Sequence, residues 1–360
     1  MKRPDPPRPS VQTAPLSGVP APEDDLLPCQ LCEGCQFELL DTRDRHQQRL
    51  ETVICRGCGL VRHARVPTEE ELARFYAQNY RQQYHGEHSP SVRRVVRAWR
   101  NGLRIFGQLR PWLFRGMRVL EIGAGVGATV KVFQLHGAQA QGIEPGESFC
   151  RWGQEHLQAP LRCQRLEDLP VDGSWDLILL VHVIEHLRLP RWALERIHHL
   201  LAPQGLLYVE CPNLTAPLAR PGRCFHQAHI YNFTPQTLRQ LAQRAGFAPL
   251  RQFSSPTDPN LQLLFRRHVA GKPPLDPHYW IEVVAQMNRY GTLRYHLRGE
   301  YLRRRWKKCR EYLFERVGGR RYLQRILEVC TGRSRWWKSV GLQAPLEPAP
   351  AAVRQQGRAA

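Results

Sequence analysis

The stretch Val119–Gly127, VLEIGAGVG, decides the fold, because a hydrophobic strand here runs straight into three closely spaced glycines. Without a Cβ, Gly123, Gly125 and Gly127 permit backbone angles and close approaches that other residues block, and a following helix offers N–H groups at its start. A second apolar strand ends at Glu144, about 20 residues on, where nucleotide-binding folds hold ribose hydroxyls. The stretch therefore predicts an α/β domain that binds a nucleotide-bearing ligand.

Two kinds of cofactor fit a glycine turn followed by an acid. Gly123, Gly125 and Ala128 also satisfy the relaxed dinucleotide fingerprint, so the glycines alone leave a nicotinamide cofactor open. Glu121, two residues before the first glycine, argues against it, because its carboxylate would repel a pyrophosphate and suits a cationic amino group.

Two further blocks favour one cofactor: WDLILLVHVIEHL at 175–187 and LLAPQGLLYVECPN at 200–213. With VLEIGAGVG they resemble the class I S-adenosylmethionine-dependent methyltransferases over about residues 118–267. The resemblance implies an α/β fold with a doubly wound, seven-stranded, mostly parallel sheet, Rossmann-like, whose last strand is antiparallel. It also implies donor contacts for these residues: the turn of Gly123, Gly125 and Gly127 for the methionine part, Glu121 for its amino group, Glu144 for the ribose, and the backbone of Leu166 and Glu167 for the adenine.

Periodicity places the elements of this region. We expect strands at about 118–123, 139–145, 161–164, 175–183, 205–212, 247–254 and 260–267. We expect helices near 127–136, 147–157, 190–201 and 235–245. Upstream, Thr68 and Glu71 form a capping box for a helix that carries Leu72, Phe75, Tyr76 and Tyr80 on one face, and an apolar stripe between Ser91 and Arg110 predicts another helix.

Five of the eleven cysteines lie within thirty residues near the start of the chain. Cys29 and Cys32 form one Cys-x-x-Cys pair and Cys55 and Cys58 another, which is the spacing of a structural Zn²⁺ ribbon with four thiolate ligands. Cys35 is an alternative partner for Cys32, and His46 or His63 also compete as ligands. By contrast Cys150, Cys163 and Cys211 are dispersed, and we expect them to be buried small hydrophobic residues.

The ribbon extends the resemblance. CRGCGL at 55–60, followed by TEEELARFYAQNY and then the glycine turn, is similar to zinc-ribbon methyltransferases that modify sugars and polysaccharides at carbon or oxygen. The basic C-terminal region differs from the folded domain that sugar C-methyltransferases carry at that end.

His182, Glu185 and His186 spell the inverted zinc-protease motif. That motif requires a helix, whereas these residues end an apolar strand, where α/β sheets bind ligands. The resemblance implies that this segment lines the pocket near the transferred methyl group, so His182 and His186 are candidate general bases. The alternative is that both histidines only cap the strand end by bonding to backbone.

A loop at 213–233 is long for a compact domain, which favours a functional role. It carries His226, His229 and Tyr231, and HIYNFTPQTLRQLAQRAGF resembles the acceptor-side segment of methyltransferases of sugar modification. That resemblance makes His229 the leading acceptor-side residue, with a purely structural role as the alternative.

The formal net charge of +20 favours anionic partners. Residues 271–360 hold 19 Lys or Arg against 7 Asp or Glu, in a predicted hairpin of amphipathic helices around Gly318 and Gly319. The start of the chain lacks a secretory pattern and no segment is apolar for 18 residues, so we expect a cytoplasmic protein, peripheral at most to the inner membrane surface.

The expected divisions of the chain are a disordered segment 1–27, a zinc ribbon 28–63, a helical linker 64–112, a donor-binding domain 113–270, a basic helical extension 271–341 and a flexible tail 342–360.

These observations predict an S-adenosylmethionine-dependent methyltransferase, with a structural zinc, that acts on oxygen or carbon of a carbohydrate or glycolipid precursor. One alternative is an RNA methyltransferase that binds nucleic acid through the ribbon and the basic hairpin. Another is a membrane-associated binding module, because Trp306, Trp336 and Trp337 stand beside basic residues.

Overall fold

Apolar runs of strand length alternate with amphipathic helices through most of the chain. The computed structural model describes residues 27–74, 90–216, 223–268, 271, 273–289, 299–333 and 337–348. Its strands are β1 (Phe37–Arg43), β2 (Arg49–Cys55), β3 (Val61–His63), β4 (Arg118–Ile122), β5 (Gln139–Ile143), β6 (Leu161–Arg162), β7 (Trp175–Val181), β8 (Leu201–Pro212), β9 (Tyr231–Asn232), β10 (Phe247–Gln252) and β11 (Asn260–Arg267). Its helices are α1 (Glu69–Arg74), α2 (Val92–Leu109), α3 (Ala128–Leu135), α4 (Glu147–Trp152), α5 (Pro190–Leu200), α6 (Pro235–Arg244), α7 (Tyr279–Met287), α8 (Gly299–Val317) and α9 (Gly319–Cys330).

Seven strands form the main sheet, in the order β10-β11-β8-β7-β4-β5-β6. The strands β4 to β8 run parallel to their neighbours among themselves, whereas β11 is antiparallel to both β8 and β10. The expected doubly wound, mostly parallel sheet is therefore confirmed. Because the chain order reverses at β4, the turn after this strand lies at the crevice where such sheets bind ligands.

Successive residues of the central strands point to opposite faces of the sheet, as strand geometry requires. Leu120 belongs to the apolar cluster under α5 and α6, while its neighbour Val119 belongs to the cluster under α2, α3 and α9. The sheet is thus buried on both faces, which explains the continuous apolar run LILLV of β7.

The two helices before the sheet begin at side-chain caps, of which the first was predicted. Glu71 N–H donates to Thr68 Oγ1 and Thr68 N–H donates to Glu71 Oε2, which completes the predicted capping box of α1. Ser91 accepts from Arg94 N–H at the start of α2. The expected face residues Phe75, Tyr76 and Tyr80 lie outside the described residues, as do the segment 1–26 and Trp336.

A second sheet, β1-β2-β3-β9, contains the ribbon. Its edge strand β9 comes from the long loop after β8 and pairs antiparallel with β3, Val61 opposite Asn232 and Arg62 opposite Tyr231. This pairing was not predicted, because β9 has only two residues and leaves no periodicity to detect. The ribbon and the predicted acceptor loop are therefore one sheet.

The region after residue 270 contains one element that the sequence analysis missed. Helix α7 places Tyr279 and Val283 in an apolar cluster with Ile54 and Val61 of the ribbon. The next two helices, α8 and α9, lie where the hairpin was predicted, with the break at Gly318. Helix α9 packs on α2, while Trp306 of α8 is 73% exposed. Among the described residues, no helix has the length and hydropathy to cross a bilayer.

Two expectations are wrong. We expected a flexible tail at 342–360, yet within the described part, 342–348, Leu342 and Leu346 are buried and Leu346 N–H donates to His136 O, since a stretch without periodicity can still fill a groove. Residues 349–360 lie outside the described residues. Cys150 and Cys163 were expected as separate buried residues, but a disulfide joins them and Cys163 is exposed, because α4 and the end of β6 bring them together. Cys211 is buried, as expected.

Close contact between α2 and α3 gives a test of the packing. A Cβ on Gly102 would lie 2.9 Å from Thr129 Cα, whereas a Cβ on Gly107 of the same helix would meet nothing nearer than 3.6 Å. We expect Gly102→Ala to lower the free energy of unfolding by about 1–3 kcal/mol, because backbone must move. Gly107→Ala should leave it unchanged or raise it by up to about 1 kcal/mol through helix propensity. Urea denaturation measures both, and equal effects would contradict this packing.

Candidate active site

The glycine turn after β4 meets the end of β5 at the carboxyl edge of the sheet. Glu144 Oε2 accepts from Gly125 N–H at 2.9 Å, and Glu144 Oε1 accepts from Gly146 N–H at 2.7 Å. A Cβ on Gly125 would meet no atom within 4 Å, so the backbone here borders open space. The arrangement is a cradle with a fixed carboxylate beside it.

The other two glycines of the turn are required by packing. A Cβ on Gly123 would lie 2.5 Å from Val183 Cγ2, and a Cβ on Gly127 would lie 2.8 Å from Ala159 Cβ. Gly127 thus lets the start of α3 approach β6. Its expected contact with the donor stays a prediction.

Glu121 lies near the end of β4, just before the glycine turn, and is buried. Burial raises the pKa of its carboxyl to about 8, opposed by hydrogen bonds from Thr129 and from Val130 N–H. Oε2 of Glu121 has no hydrogen-bond partner among the described residues. A bound cation would favour the ionised form, so the expected role toward an amino group stays a prediction.

The predicted adenine segment forms a short 3₁₀ turn, Leu166–Asp168. Arg196 of α5 holds this turn, since its guanidinium donates to the carbonyl oxygens of Leu166 at 3.0 Å, Glu167 at 2.8 Å and Leu169 at 2.6 Å. Arg196 was not predicted, because its contacts are to backbone and leave no motif.

His182 follows β7 with a left-handed backbone, φ 56°. Its Nδ1 lies 3.2 Å from Glu185 Oε1, and its Nε2 lies 3.2 Å from Asn260 Nδ2. Burial lowers the pKa of His182, but Glu185 and Glu210 outweigh it and hold the pKa above its usual value. His182 is thus fixed by side chains, rather than by backbone as the structural alternative required.

A buried polar network behind His182 was not predicted. Glu210 Oε2 accepts from Arg104 Nη2 at 2.6 Å and from the Tyr208 hydroxyl at 2.9 Å, while Glu210 Oε1 accepts from Asn260 Nδ2 at 2.9 Å. Burial raises the pKa of Glu210, but Arg104 and His182 outweigh it and keep the pKa below its usual value. Asn260 and Arg104 come from β11 and α2, so only the fold brings them to this site.

The acceptor loop brings a second group of histidines to the same edge. His186 Nδ1 lies 2.6 Å from Ala228 O, which can only accept, so Nδ1 carries the proton. The rings of His186 and His229 are 5.0 Å apart, and His229 stacks on His226 at 4.7 Å. Burial and the neighbouring histidines lower the pKa of His229 to about 2, so its ring is neutral at physiological pH. The structure thus brings together His182, His186 and His229.

The four paired cysteines also come together. Ligand atoms of Cys29, Cys32, Cys55 and Cys58 all lie within 4.8 Å of one another, with Cys29 Sγ and Cys58 Sγ 3.5 Å apart. Cys35 is exposed and outside the cluster, which resolves the alternative left open by the sequence. His63 instead lies 3.3 Å, through Nε2, from His226 O.

Comparison with known families places this site in a recognised domain. Residues 92–252 match a family model described as a methyltransferase domain. Among curated proteins, the chain is similar to a ubiquinone biosynthesis O-methyltransferase of Nitrobacter winogradskyi, 33% identical over 97 residues, which are 26% of this chain and 37% of that protein. It is also similar to a tRNA U34 carboxymethyltransferase of Syntrophotalea carbinolica, 33% identical over 126 residues, or 32% of this chain and 39% of that protein. The matches thus span well under half of these relatives.

Solved structures include similar chains. A 1,6-didemethyltoxoflavin-N1-methyltransferase of Burkholderia thailandensis with bound S-adenosylhomocysteine is 21% identical, covers 58% of this chain and 96% of its own, and has a TM-score of 0.44. A magnesium protoporphyrin IX methyltransferase of Synechocystis PCC 6803 with bound SAH is 21% identical and has a TM-score of 0.41. The match covers 53% of this chain and 98% of that chain.

Burial of Glu121 predicts a pH dependence of stability. The pKa of its carboxyl is about 8 in the folded chain, against 4.5 for an unperturbed glutamate, so the folded state holds the proton more tightly. Stability therefore falls as pH rises from about 4.5 to about 8. We expect Glu121→Gln to remove about 4 kcal/mol of this fall. Urea denaturation of the variant and of the original chain across pH 5–9 gives the difference, with exposed Glu147→Gln as control. Parallel profiles for Glu121→Gln and the original chain would contradict the assignment.

Proposed function

We propose that the chain transfers a methyl group from S-adenosylmethionine to a hydroxyl oxygen of its acceptor, and that residues 92–252, which match the methyltransferase family model, bind the donor. The observation that carries the proposal is the Glu144 carboxylate, held by Gly125 N–H at the crevice and facing the same sheet edge as the histidines. The relatives named as O-methyltransferases favour oxygen over carbon. A carbohydrate or glycolipid precursor, expected from the resemblance, is our proposed acceptor.

The residues of the crevice fit the donor. The open side of Gly125 leaves room for a ligand beside the backbone, and the Glu144 carboxylate is at the strand end where nucleotide folds bind ribose hydroxyls. Glu121 Oε2, buried with no partner among the described residues, suits the donor's ammonium group. When bound, the donor supplies a sulfonium-activated methyl group.

The chain's own residues have the remaining tasks, which are to orient the acceptor, exclude water and accept a proton. His182, His186 and His229 are our proposed acceptor-side residues. Asn260 fixes His182 at Nε2, and Ala228 O fixes His186 at Nδ1, so both rings have defined orientations. The ribbon contributes indirectly, since β3 pairs with the strand that follows His229.

Donor binding tests the first half of the proposal. We expect Glu144→Ala to weaken binding of S-adenosylmethionine by about 10- to 100-fold, because charged hydrogen bonds to the ribose are lost. Isothermal titration calorimetry measures the affinity. Glu147→Ala, an exposed acid three residues further on, should bind as the original chain does. If the original chain does not bind the donor, the proposed function is wrong.

Transfer of a labelled methyl group tests the second part of the proposal, the identity of the acceptor. The full chain is incubated with methyl-labelled donor and fractionated cell extract, and the label is sorted into glycan, lipid, small-molecule and RNA pools. Label in the glycan or glycolipid pool supports the proposed acceptor, and label elsewhere overturns that acceptor while leaving methyl transfer in place.

RNA is the second candidate acceptor, because one relative is named for tRNA and the net charge is +20. This candidate requires RNA affinity that falls steeply as salt rises, since Lys and Arg contacts release counterions. The label in the RNA pool together with that salt dependence would favour it over the carbohydrate.

We also propose that the four-cysteine cluster holds a structural Zn²⁺. Four thiolates and no other ligand are the donor set of closed structural zinc sites. Cys55 ends β2 and Cys58 precedes β3, so the ion would fix the turn that positions β3. Through β3, it would stabilise β9 and the acceptor loop.

Matched cysteine variants test the zinc. We expect Cys32→Ser to lose the ion and to lower the Tm, because metal binding and folding of small zinc modules are coupled. Cys35 is exposed and lies outside the cluster, so Cys35→Ser should keep both the zinc ion and the original Tm. Elemental analysis measures the zinc content, and thermal unfolding measures the Tm. Equal zinc content in the two variants would contradict this ligand set.

A further inference from the structure

A second group of potential metal ligands lies at the acceptor side, apart from the cysteines. Ligand atoms of Glu185, His186 and His229 lie within 4.8 Å of one another. Glu185 and His186 belong to a 3₁₀ turn after β7, Ile184–His186, whereas His229 comes from the loop before β9. Two segments that are distant in sequence therefore present three ligands to one place.

Glu185 is the unexplained member of this group. Its side chain is 1% exposed, and although Oε1 lies 3.2 Å from His182 Nδ1, Oε2 has no hydrogen-bond partner among the described residues. A carboxylate oxygen buried in this way is costly unless it is paired or binds a metal. Its position beside two histidines points to a metal.

His186 is oriented as a metal ligand is. Its Nδ1–H donates to Ala228 O at 2.6 Å, the type of outer contact that fixes the tautomer of metal-binding histidines. In the neutral ring the lone pair is then on Nε2, which lies 3.8 Å from Glu185 Oε1. The centroid of the His229 ring lies 5.0 Å from that of His186, and the two ring planes are inclined by 73°.

We propose that Glu185, His186 and His229 bind a divalent transition-metal ion, Zn²⁺ or one of similar ligand preference, in the acceptor crevice. Two imidazoles and one carboxylate are a ligand set of catalytic zinc and of non-haem iron sites. Metal–ligand bonds of about 2.0–2.2 Å place ligand atoms roughly 3.3 Å apart, so small side-chain rotations close the cluster.

The arrangement differs from the inverted zinc-protease motif that the sequence spells. There the two histidines of the motif bind together, whereas here His182 is held by Glu185 and Asn260 and the second histidine ligand is His229. Glu185 connects the two groups, because its Oε1 lies 3.2 Å from His182 Nδ1 and 3.8 Å from His186 Nε2.

Three protein ligands leave a coordination position for water or for an oxygen of the acceptor. An ion there would bind the acceptor hydroxyl and lower its pKa as a Lewis acid, with the proton passing to solvent or to a neighbouring base. This catalytic consequence rests on the proposed function, but metal binding itself does not.

The test uses the full chain without donor or acceptor, so that its failure is distinct from failure of methyl transfer. The protein is titrated with Zn²⁺ and then with Co²⁺, followed by calorimetry, elemental analysis and X-ray absorption. We expect one ion with nitrogen and oxygen ligands in addition to any sulfur-ligated ion. His229→Ala and His186→Ala should weaken binding of that ion by about 100-fold or more, whereas surface His199→Ala should not.

Two outcomes overturn the inference: no nitrogen- and oxygen-ligated ion in the original chain, or an ion that survives in His229→Ala with unchanged affinity. If a variant does not fold, the Co²⁺ spectrum of the original chain still decides, because a site without thiolates lacks the sulfur-to-metal charge-transfer band. Once one equivalent of Zn²⁺ has filled the thiolate cluster, new Co²⁺ d–d bands without the charge-transfer band support the site, whereas no new d–d bands refute it.

Discussion

The short ladder between β3 and β9 is the constraint on which the acceptor side of this molecule depends. Val61 and Arg62 pair with Asn232 and Tyr231, and His63 N–H donates to Ile230 O at 2.9 Å. These few backbone hydrogen bonds connect the cysteine-rich sheet to the loop that carries the histidines. The described part of the loop is held further by Ala228 O, which accepts from His186, and by Phe225 O, which accepts from Arg45 N–H, and these bonds offset the entropic cost of one conformation.

The two sides of the crevice are built by different means. The proposed donor side is local: a glycine turn, a carboxylate at the next strand end and a 3₁₀ turn lie within fifty residues and bond mainly to backbone. The acceptor side combines β7, β8, β11, α2 and the loop, and its polar groups bond mainly to side chains. Such a division lets one donor site serve different acceptors, since the distant segments can change without disturbing the turn.

This division also explains what could be predicted. Period and turn chemistry located the seven strands of the main sheet to within a few residues, and the paired cysteines were recognised as one cluster, because both signals are local. Arg104, Asn260 and Arg196 were missed, since a side chain that reaches a site from another element has no fixed spacing. The β9 strand was missed because two residues carry no periodicity. Helix α7 was missed because most of its nine residues are apolar, so they show no amphipathic pattern. The burial of Glu121 was not predicted either, because tertiary packing decides it.

The end of the described chain has a practical consequence. Residues 342–348 show no helical or strand periodicity, yet Leu346 is buried, Gln343 N–H donates to His136 Nε2 at 3.0 Å, and Pro348 forms a β-bridge with Arg115. A recombinant protein that ends at residue 341 would lack the segment that covers α2 and α3. It would expose the apolar groove in which Leu342 and Leu346 are buried. An affinity tag at this end should therefore follow residue 348, so that the packing of 342–348 on the two helices is kept.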